Sequence, residues 1–463
     1  MGRTRNGPTE GSREHLENLQ KIEHIVVLML ENRSFDHMLG YLSLEAGRDD
    51  VDGLKDGMKN QFRGKTYPIH KLENTALDKP HDPCHSPDCI DMQLSNNSGG
   101  FVRNFGETHP NVPDPDVVIG YYDAEALPVY DHLATEFLIC DCWFSSVAGD
   151  TWPNRLYALT GGSDGHRKHF EDPPIYDLKS FVRHLDHMQV RWKWYFHDIP
   201  TICAADSEYR PPNADLDTLR RRLAFFDRPP KIPFLPKSFI QDAANDKLPG
   251  VAWIDPNFAD VRLGTTGSND DHPPSDVKAA QDLVLKVYNA VVNSPAWPKT
   301  LLVITYDEHG GFFDHVQPGA AQDDFPACAN YGVRVPAIVV SPWVEAGAVS
   351  HTVFDHTSII KTILLCFCRQ PDGSIPDMGA RVAAATHLGE LLSLTTARAP
   401  TPRAEIQALV ARIANWRRDL FVARMELVAT RDVPAPSEPS DLEQQAVALK
   451  EELVKRGLTE LAY

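Results

Sequence analysis

The run from residue 24 to 30 is apolar after its first residue and breaks off at Glu31-Asn32-Arg33-Ser34-Phe35-Asp36. It is short, rich in β-branched residues and has no polar face, which predicts a strand covered on both sides. A second run, 301–306, ends in the same way, at Asp307-Glu308-His309-Gly310-Gly311. Side chains at the ends of parallel strands face a ligand crevice. Two strands that each deliver oxygen ligands at their ends therefore predict a metal site assembled across a sheet. Further strands are predicted over 137–140, 191–195, 250–254 and 335–340, and helices over 130–135, 155–159, 178–186, 276–293 and 358–365. This alternation predicts an α/β fold, a largely parallel central sheet with helices on both faces.

The polar lead-in, 1–21, carries one short helix at 13–21, and the main domain is expected to span 22–399. Long Pro/Gly/Asn-rich stretches at 45–120 and 201–240 read as ordered loops over a site. After Ala399-Pro400-Thr401-Pro402 the character changes. Residues 403–429 and 439–457 read as two amphipathic helices separated by Val433-Pro434-Ala435-Pro436. The first carries Ile406, Leu409, Val410, Ile413, Trp416, Leu420 and Phe421 at helical spacing and is expected to pack on the main domain or on a second copy of the chain.

Composition is that of a globular protein, 42% hydrophobic and 24% charged over 463 residues. The net charge of −18 argues against nucleic acid or an anionic bilayer as the main partner. A zwitterionic or small phosphorylated substrate stays compatible, because a metal can supply local positive charge. No signal peptide or membrane-spanning segment is read at the N-terminus, so the expected location is cytoplasmic, with secretion as the alternative. The close cysteine pairs, Cys84/Cys89, Cys140/Cys142 and Cys366/Cys368, do not space as a zinc site, and thiols are the expected state. In an exported protein Cys84 and Cys89 could close a disulfide.

Thr151, in Gly149-Asp150-Thr151-Trp152-Pro153-Asn154-Arg155, is predicted to sit near a helix N-terminus, where backbone N–H groups favour an anion. As a helix cap it would be unremarkable. Beside a divalent cation its hydroxyl becomes a competent nucleophile. Histidines recur in Asp- and Pro-rich loops: His81, His85, His197, His272, His315 and His356. Imidazole can bind metal, hold phosphate oxygens or protonate a leaving group. Thiolates are missing from these segments, so a hard, oxygen-tolerant cation is expected.

Four ordered motifs carry a resemblance: Glu31-Asn32-Arg33-Ser34-Phe35-Asp36; Thr151-x-Pro153-Asn154-Arg155-Leu156-Tyr157; the segment from Thr305 through Asp307-Glu308-His309-Gly310-Gly311 to Asp314-His315-Val316; and Gly332-Val333-Arg334-Val335-Pro336. Together they resemble the phosphoesterase family of bacterial phosphatidylcholine-type phospholipases C, plant non-specific phospholipases C and certain bacterial acid phosphatases. The resemblance spans roughly residues 22–370 and implies an alkaline phosphatase-like core. It implies Glu31, Asn32, Asp307 and Glu308 as ligands of a divalent cation (calcium, magnesium, manganese or zinc) and Thr151 as nucleophile. His85 and His272, with His197 as a third, are implied on the phosphoryl group or leaving alcohol. His315 and His356 match family motifs without an assigned role. Trp152 departs from the pattern, since His, Asp or Asn often follows the nucleophile. The helical tail departs too, where the bacterial phospholipases often carry β-rich domains.

The implied activity is hydrolysis of a phospholipid or related phosphodiester through a phosphothreonine, with peripheral membrane contact. The alternatives are an acid phosphatase acting on monoesters, and an inactive metal-stabilised binding protein. A lipid substrate predicts an apolar rim, for which Tyr121, Tyr122, Trp143, Trp152, Phe312 and Phe313 are candidates; a monoester dianion predicts extra cations, for which Arg103, Arg155 and Arg334 are candidates.

Overall fold

The computed structural model describes residues 10–75, 82–227, 238–258, 268–273, 275–430 and 441–458. Within them, the side chains of 10–12, 216, 417–430 and 441 are left aside, so the side chains of Leu420 and Phe421, like His81 and the whole proline-rich 433–439 segment, lie outside what is described.

Eight strands form the central sheet: β1 (His24–Leu30), β2 (Leu138–Cys140), β3 (Trp192–Phe196), β4 (Leu223–Phe225), β5 (Val251–Ile254), β6 (Thr300–Tyr306), β7 (Ala337–Val340) and β8 (Val349–Ser350), in the order β8-β2-β7-β6-β1-β5-β3-β4. All pairings are parallel except those of β7, which runs antiparallel to both neighbours. The two runs that opened the sequence reading are the central pair. Every residue of β6, and every residue of β1 after His24, is buried, so both sheet faces are covered.

Helices supply that cover. α1 (Glu10–Asn18) leads into the sheet, and Lys21 just beyond it donates to the Leu392 and Leu394 carbonyls, which ties the N-terminal segment to the main body. α2 (Pro128–Glu136), α3 (Thr151–Thr160), α4 (Val277–Val292), α5 (His356–Phe367), α6 (Arg403–Thr430) and α7 (Asp441–Lys455) follow. α4 buries Val277, Ala280, Val284, Val287 and Val291 at helical spacing and packs against α2, β6 and α6. α3 packs against α5, whose start is fixed by a capping box between Asp355 and Ser358. Ile406 and Ile413 of α6 are buried within the chain itself, while Val410 is exposed.

Three differences from the predicted elements have physical causes. β4 and β8 are two or three residues long and sit on the sheet edges, too short to carry a periodic signal. β7 was readable as a buried strand, but a uniformly apolar run carries no information about direction. The long stretch 45–120 holds a hairpin, Lys59–Phe62 with Lys65–Pro68, and helices Pro87–Gln93 and Phe101–Thr108.

One buried ion cluster fastens the loops after β1 and β6 to each other. Arg334, fully buried, donates to Asp314 Oδ1 at 2.8 Å and to Asp36 Oδ1 at 3.1 Å, and reaches the Asp52 and Asp141 carbonyls. His315 Nδ1 lies 2.7 Å from Asp36 Oδ2. Asp36, Asp314 and His315 thus gather three ligand-type atoms, but the guanidinium already balances them. This gives His315 a structural place. Replacing the buried guanidinium leaves two buried carboxylates with only His315 to balance them, so Arg334→Met is expected to lower unfolding free energy by about 3–5 kcal/mol in denaturant titrations.

Burial opposes a charged His315 ring, but its hydrogen bond to Asp36 and the Asp36 and Asp314 charges outweigh this and raise its pKa above 6.5. The unfolded ring titrates near its ordinary value, about 6.5. The pair's contribution is therefore complete below about pH 6.5 and fades as pH rises through the higher native pKa. Melting curves from pH 6 to 9 should show this loss in the native protein and a flatter profile in His315→Gln.

Candidate active site

Parallel pairing of β1 with β6 sets Leu30 opposite Tyr306, so the residues that follow each strand emerge side by side. Asn32 N donates to Asp307 Oδ1 at 3.0 Å, linking the two strand ends directly. Asn32 adopts a left-handed backbone, φ 59°, which a non-glycine residue holds only under strong surrounding constraint. Gly310 supplies part of that constraint. Its own φ is 62°, and a Cβ there would stand 2.0 Å from the Asn32 carbonyl oxygen.

Thr151 is the first residue of α3. The N-cap position belongs to Asp150, whose carboxylate is occupied by His169, accepting from its N–H at 3.1 Å and lying 3.1 Å from Nδ1. The Thr151 hydroxyl is turned instead to β1: Oγ1 lies 3.3 Å from Glu31 Oε2 and 3.3 Å from Asn32 Oδ1. Hydroxyl, carboxylate and carboxamide oxygens meet there at the N-terminus of a ten-residue helix.

Arg155, one turn along α3, donates from Nε to Glu31 Oε1 at 2.6 Å and lies 3.9 Å from both Asp255 and Asp307. Burial pushes the Glu31 carboxyl well up; Arg155 opposes this, while Asp307 and Asp270 add to it. Burial likewise raises Asp270 to about 7, against the pull of His272. Asp307 Oδ2 and Asn32 Nδ2 are buried and have no hydrogen-bond partner among the described residues. The set fits a hard divalent cation: oxygen donors, excess negative charge and a carboxylate oxygen left over.

The other predicted residues form a second group. Glu308 Oε1 lies 2.7 Å from His85 Nδ1, and its Oε2 is 3.1 Å from His309 Nδ1 and accepts from Gly310 N. Burial favours a neutral Glu308, but the two imidazoles outweigh it and hold the carboxyl well below its usual range. The His85 and His272 rings stand 5.8 Å apart, and with Asp82 they bring ligand atoms within 4.8 Å of one another. The Cys84–Cys89 disulfide brackets His85, so these two thiols are not free as expected. His197 follows β3, its Nδ1 3.1 Å from the Asp255 carbonyl and its ring stacked on Phe226. His356 Nε2 lies 2.6 Å from the Asp307 carbonyl, which makes it a support for the strand end.

Several residues escaped the sequence reading. Asp255 ends β5 as Glu31 ends β1, and the signal was available in the apolar run before it. It accepts from Thr201 N at 2.7 Å and Trp194 Nε1 at 2.5 Å. Asp270 and Asp271 stand beside His272, with Asp271 held by Tyr306 at 2.5 Å, but nothing in their spacing marks them. The aromatic rim is largely core: Tyr122, Trp143 and Phe312 are fully buried, and only Trp152 of the six candidates lines the pocket at Thr151. The arginine candidates are committed elsewhere, Arg103 to Glu107, Arg155 to Glu31 and Arg334 to Asp36 and Asp314.

Residues 22–367 match the family model described as the Phosphoesterase family. The chain belongs to that family. It is 34% identical over 372 residues to the non-specific phospholipase C6 of Arabidopsis thaliana, covering 75% of this chain and 68% of the plant protein. It is 32% identical over 402 residues to phospholipase C B of Mycobacterium tuberculosis, covering 75% and 73%. A Vibrio parahaemolyticus protein of the alkaline phosphatase superfamily aligns over 82% of this chain and 80% of its own, at 10% identity and a TM-score of 0.34. This phosphoesterase is thus a hydrolase of phosphoric ester bonds, and no helix among its described residues is long and apolar enough to cross a membrane.

The Gly310 contact generates a test of the strand-end geometry. Gly310→Ala should cost roughly 1–3 kcal/mol of stability. Phosphoesterase activity, measured below the variant's melting temperature, should fall at least about tenfold, because the Asn32 side chain is displaced.

Proposed function

We propose that this phosphoesterase is a metal-dependent phospholipase C-type phosphodiesterase that works through a phosphothreonine at Thr151. The observation that carries the reading is the convergence of Thr151 Oγ1 on Glu31 Oε2 and Asn32 Oδ1, both at 3.3 Å, together with an Asp307 Oδ2 that has no hydrogen bond among the described residues. Glu31, Asn32 and Asp307, with Glu308 adjoining, are the residues that would hold the cation. When bound, it would stabilise negative charge on the hydroxyl oxygen and on the phosphoryl group.

The chain's own groups divide the remaining work. Thr151 Oγ1, 3.3 Å from Glu31 Oε2, passes its proton to that carboxylate as it attacks phosphorus in line, and the bond to the leaving alcohol breaks. The alcohol takes its proton from His272 or His197. The free Asn32 amide and the His85 and His272 imidazoles donate to the nonbridging oxygens, where charge builds in the transition state. Water then attacks phosphorus, giving its proton to the histidine that protonated the alcohol, and the phosphothreonine bond breaks as Thr151 Oγ1 recovers its proton from Glu31.

Relatives named as phospholipases C support a phospholipid diester as the substrate. The arginines speak in the same direction. A monoester dianion calls for an additional cation, and Arg103, Arg155 and Arg334 are each paired with a carboxylate of the protein. The Cys84–Cys89 bridge supports an oxidising compartment as the place of action, in preference to the cytoplasm.

Thr151→Ala should lower turnover of a chromogenic phosphocholine diester by at least about 10³-fold, with metal content unchanged by elemental analysis. Chelation should abolish wild-type activity, and one divalent ion should restore it. Full activity in the alanine variant would sink the covalent route. A strong preference for a chromogenic monoester in parallel assays would move the substrate to the phosphatase class.

A further inference from the structure

The pocket above the nucleophile is roofed by the far C-terminal end of the chain. Its floor carries Glu31, Thr151 and Arg155, and its roof is Leu442, Ala446 and Leu449 of α7. With Leu453 these residues form one stripe at i, i+4, i+7 and i+11, and all four are buried. Trp152, next to the nucleophile, donates from Nε1 to Gln445 Oε1 on the same helix at 2.8 Å. The residue that follows Thr151 is thus the one that holds α7 down.

The enclosed space is too small for the substrate proposed above. It holds about 10 Å³, room for about one water molecule, against roughly 300–1,000 Å³ for sites that hold ordinary small molecules. Thr151 is only 4% exposed. A diester carrying two acyl chains cannot reach its hydroxyl while α7 is in place. A helix of this length is marginal alone in water, so its docked stripe is what keeps it ordered. The walls that face the stripe include Ile199 and Phe258, also apolar. Water therefore favours the closed arrangement, and an aggregated lipid surface can cover the same apolar groups once α7 leaves.

We propose that α7 is a lid over Thr151, closed in water by its apolar stripe and the Trp152–Gln445 contact, and drawn aside at a zwitterionic lipid surface to admit the ester. This rests on the phosphodiesterase reading for its substrate, but the closure itself can be measured without turnover. In full-length Thr151→Cys protein, the introduced thiol reports access to the pocket through its rate of modification by methyl methanethiosulfonate, followed by mass spectrometry of the peptide that contains position 151. The rate should be low in buffer and rise at least tenfold with phosphatidylcholine vesicles. Adding Leu449→Asp should produce the same rise in buffer alone, and Gln445→Ala, a milder change that spares the stripe, a rise of several-fold. With Thr151 intact, both α7 variants should hydrolyse a water-soluble short-chain phosphocholine diester faster than wild type and lose most of their stimulation by vesicles. Equal labelling rates in parent and in folded α7 variants would overturn the lid. A protein inactive on every ester but with labelling controlled by α7 would overturn the phosphodiesterase reading and leave the lid standing.

Discussion

Pairing of β1 with β6, in a register that sets Leu30 against Tyr306, places Glu31 and Asn32 beside Asp307 and Glu308. A shift by one residue would turn every side chain of a strand to the opposite face. The register is protected on both sides: upstream by two strands buried throughout except at His24, and downstream by Asn32 N on Asp307 Oδ1 and Arg334 between Asp36 and Asp314. His356, from the start of α5, adds a third restraint on the Asp307 carbonyl. The strained backbone of Asn32 persists because all of these hold it, and it aims the carboxamide at Thr151.

The same register concentrates acid. Glu31, Asp255, Asp270, Asp307 and Glu308 are all buried at one end of the sheet. Arg155 brings one positive charge against Glu31, with Asp255 and Asp307 each 3.9 Å away. Unit charges about 4 Å apart interact by about 4 kcal/mol at an effective dielectric of 20, so a single guanidinium does not neutralise three carboxylates. Burial answers part of the excess by raising Glu31 and Asp270 towards their neutral forms. Glu308 avoids that fate through His85 and His309. The negative charge that remains suits a divalent ion on oxygen donors.

How much of this could be read from the chain follows from what each feature depends on. β1, β6 and the helix after Asp150 were legible because burial on both faces and a run ending in polar residues are local patterns. Asp255 obeyed the same grammar after β5 and could have been found with it. Asp270 could not, since its place beside Glu31 rests on the Asp270 carbonyl accepting from Glu31 N, a pairing between segments 239 residues apart. The direction of β7 is likewise set by its neighbours. The arginines and aromatics misled for a shared reason: composition shows that a guanidinium or a ring is present, and only packing shows whether a carboxylate or the core has already claimed it.

Trp152 joins the chemistry to the end of the chain. Read in sequence it is a bulky ring next to Thr151; in the fold its indole N–H needs a partner, and that partner is Gln445. A smaller polar residue at 152 would offer α7 neither the ring's surface nor this donor. The helical tail and the indole at 152 are therefore one feature and not two. A tail that docks through Leu442, Ala446 and Leu449 requires an apolar seat, and the seat lies over Thr151. The same apolarity excludes water from a site whose buried acids already pay heavily for desolvation. Access and electrostatics at this centre are governed by the same few side chains, which is why α7 bears on the first residue of α3.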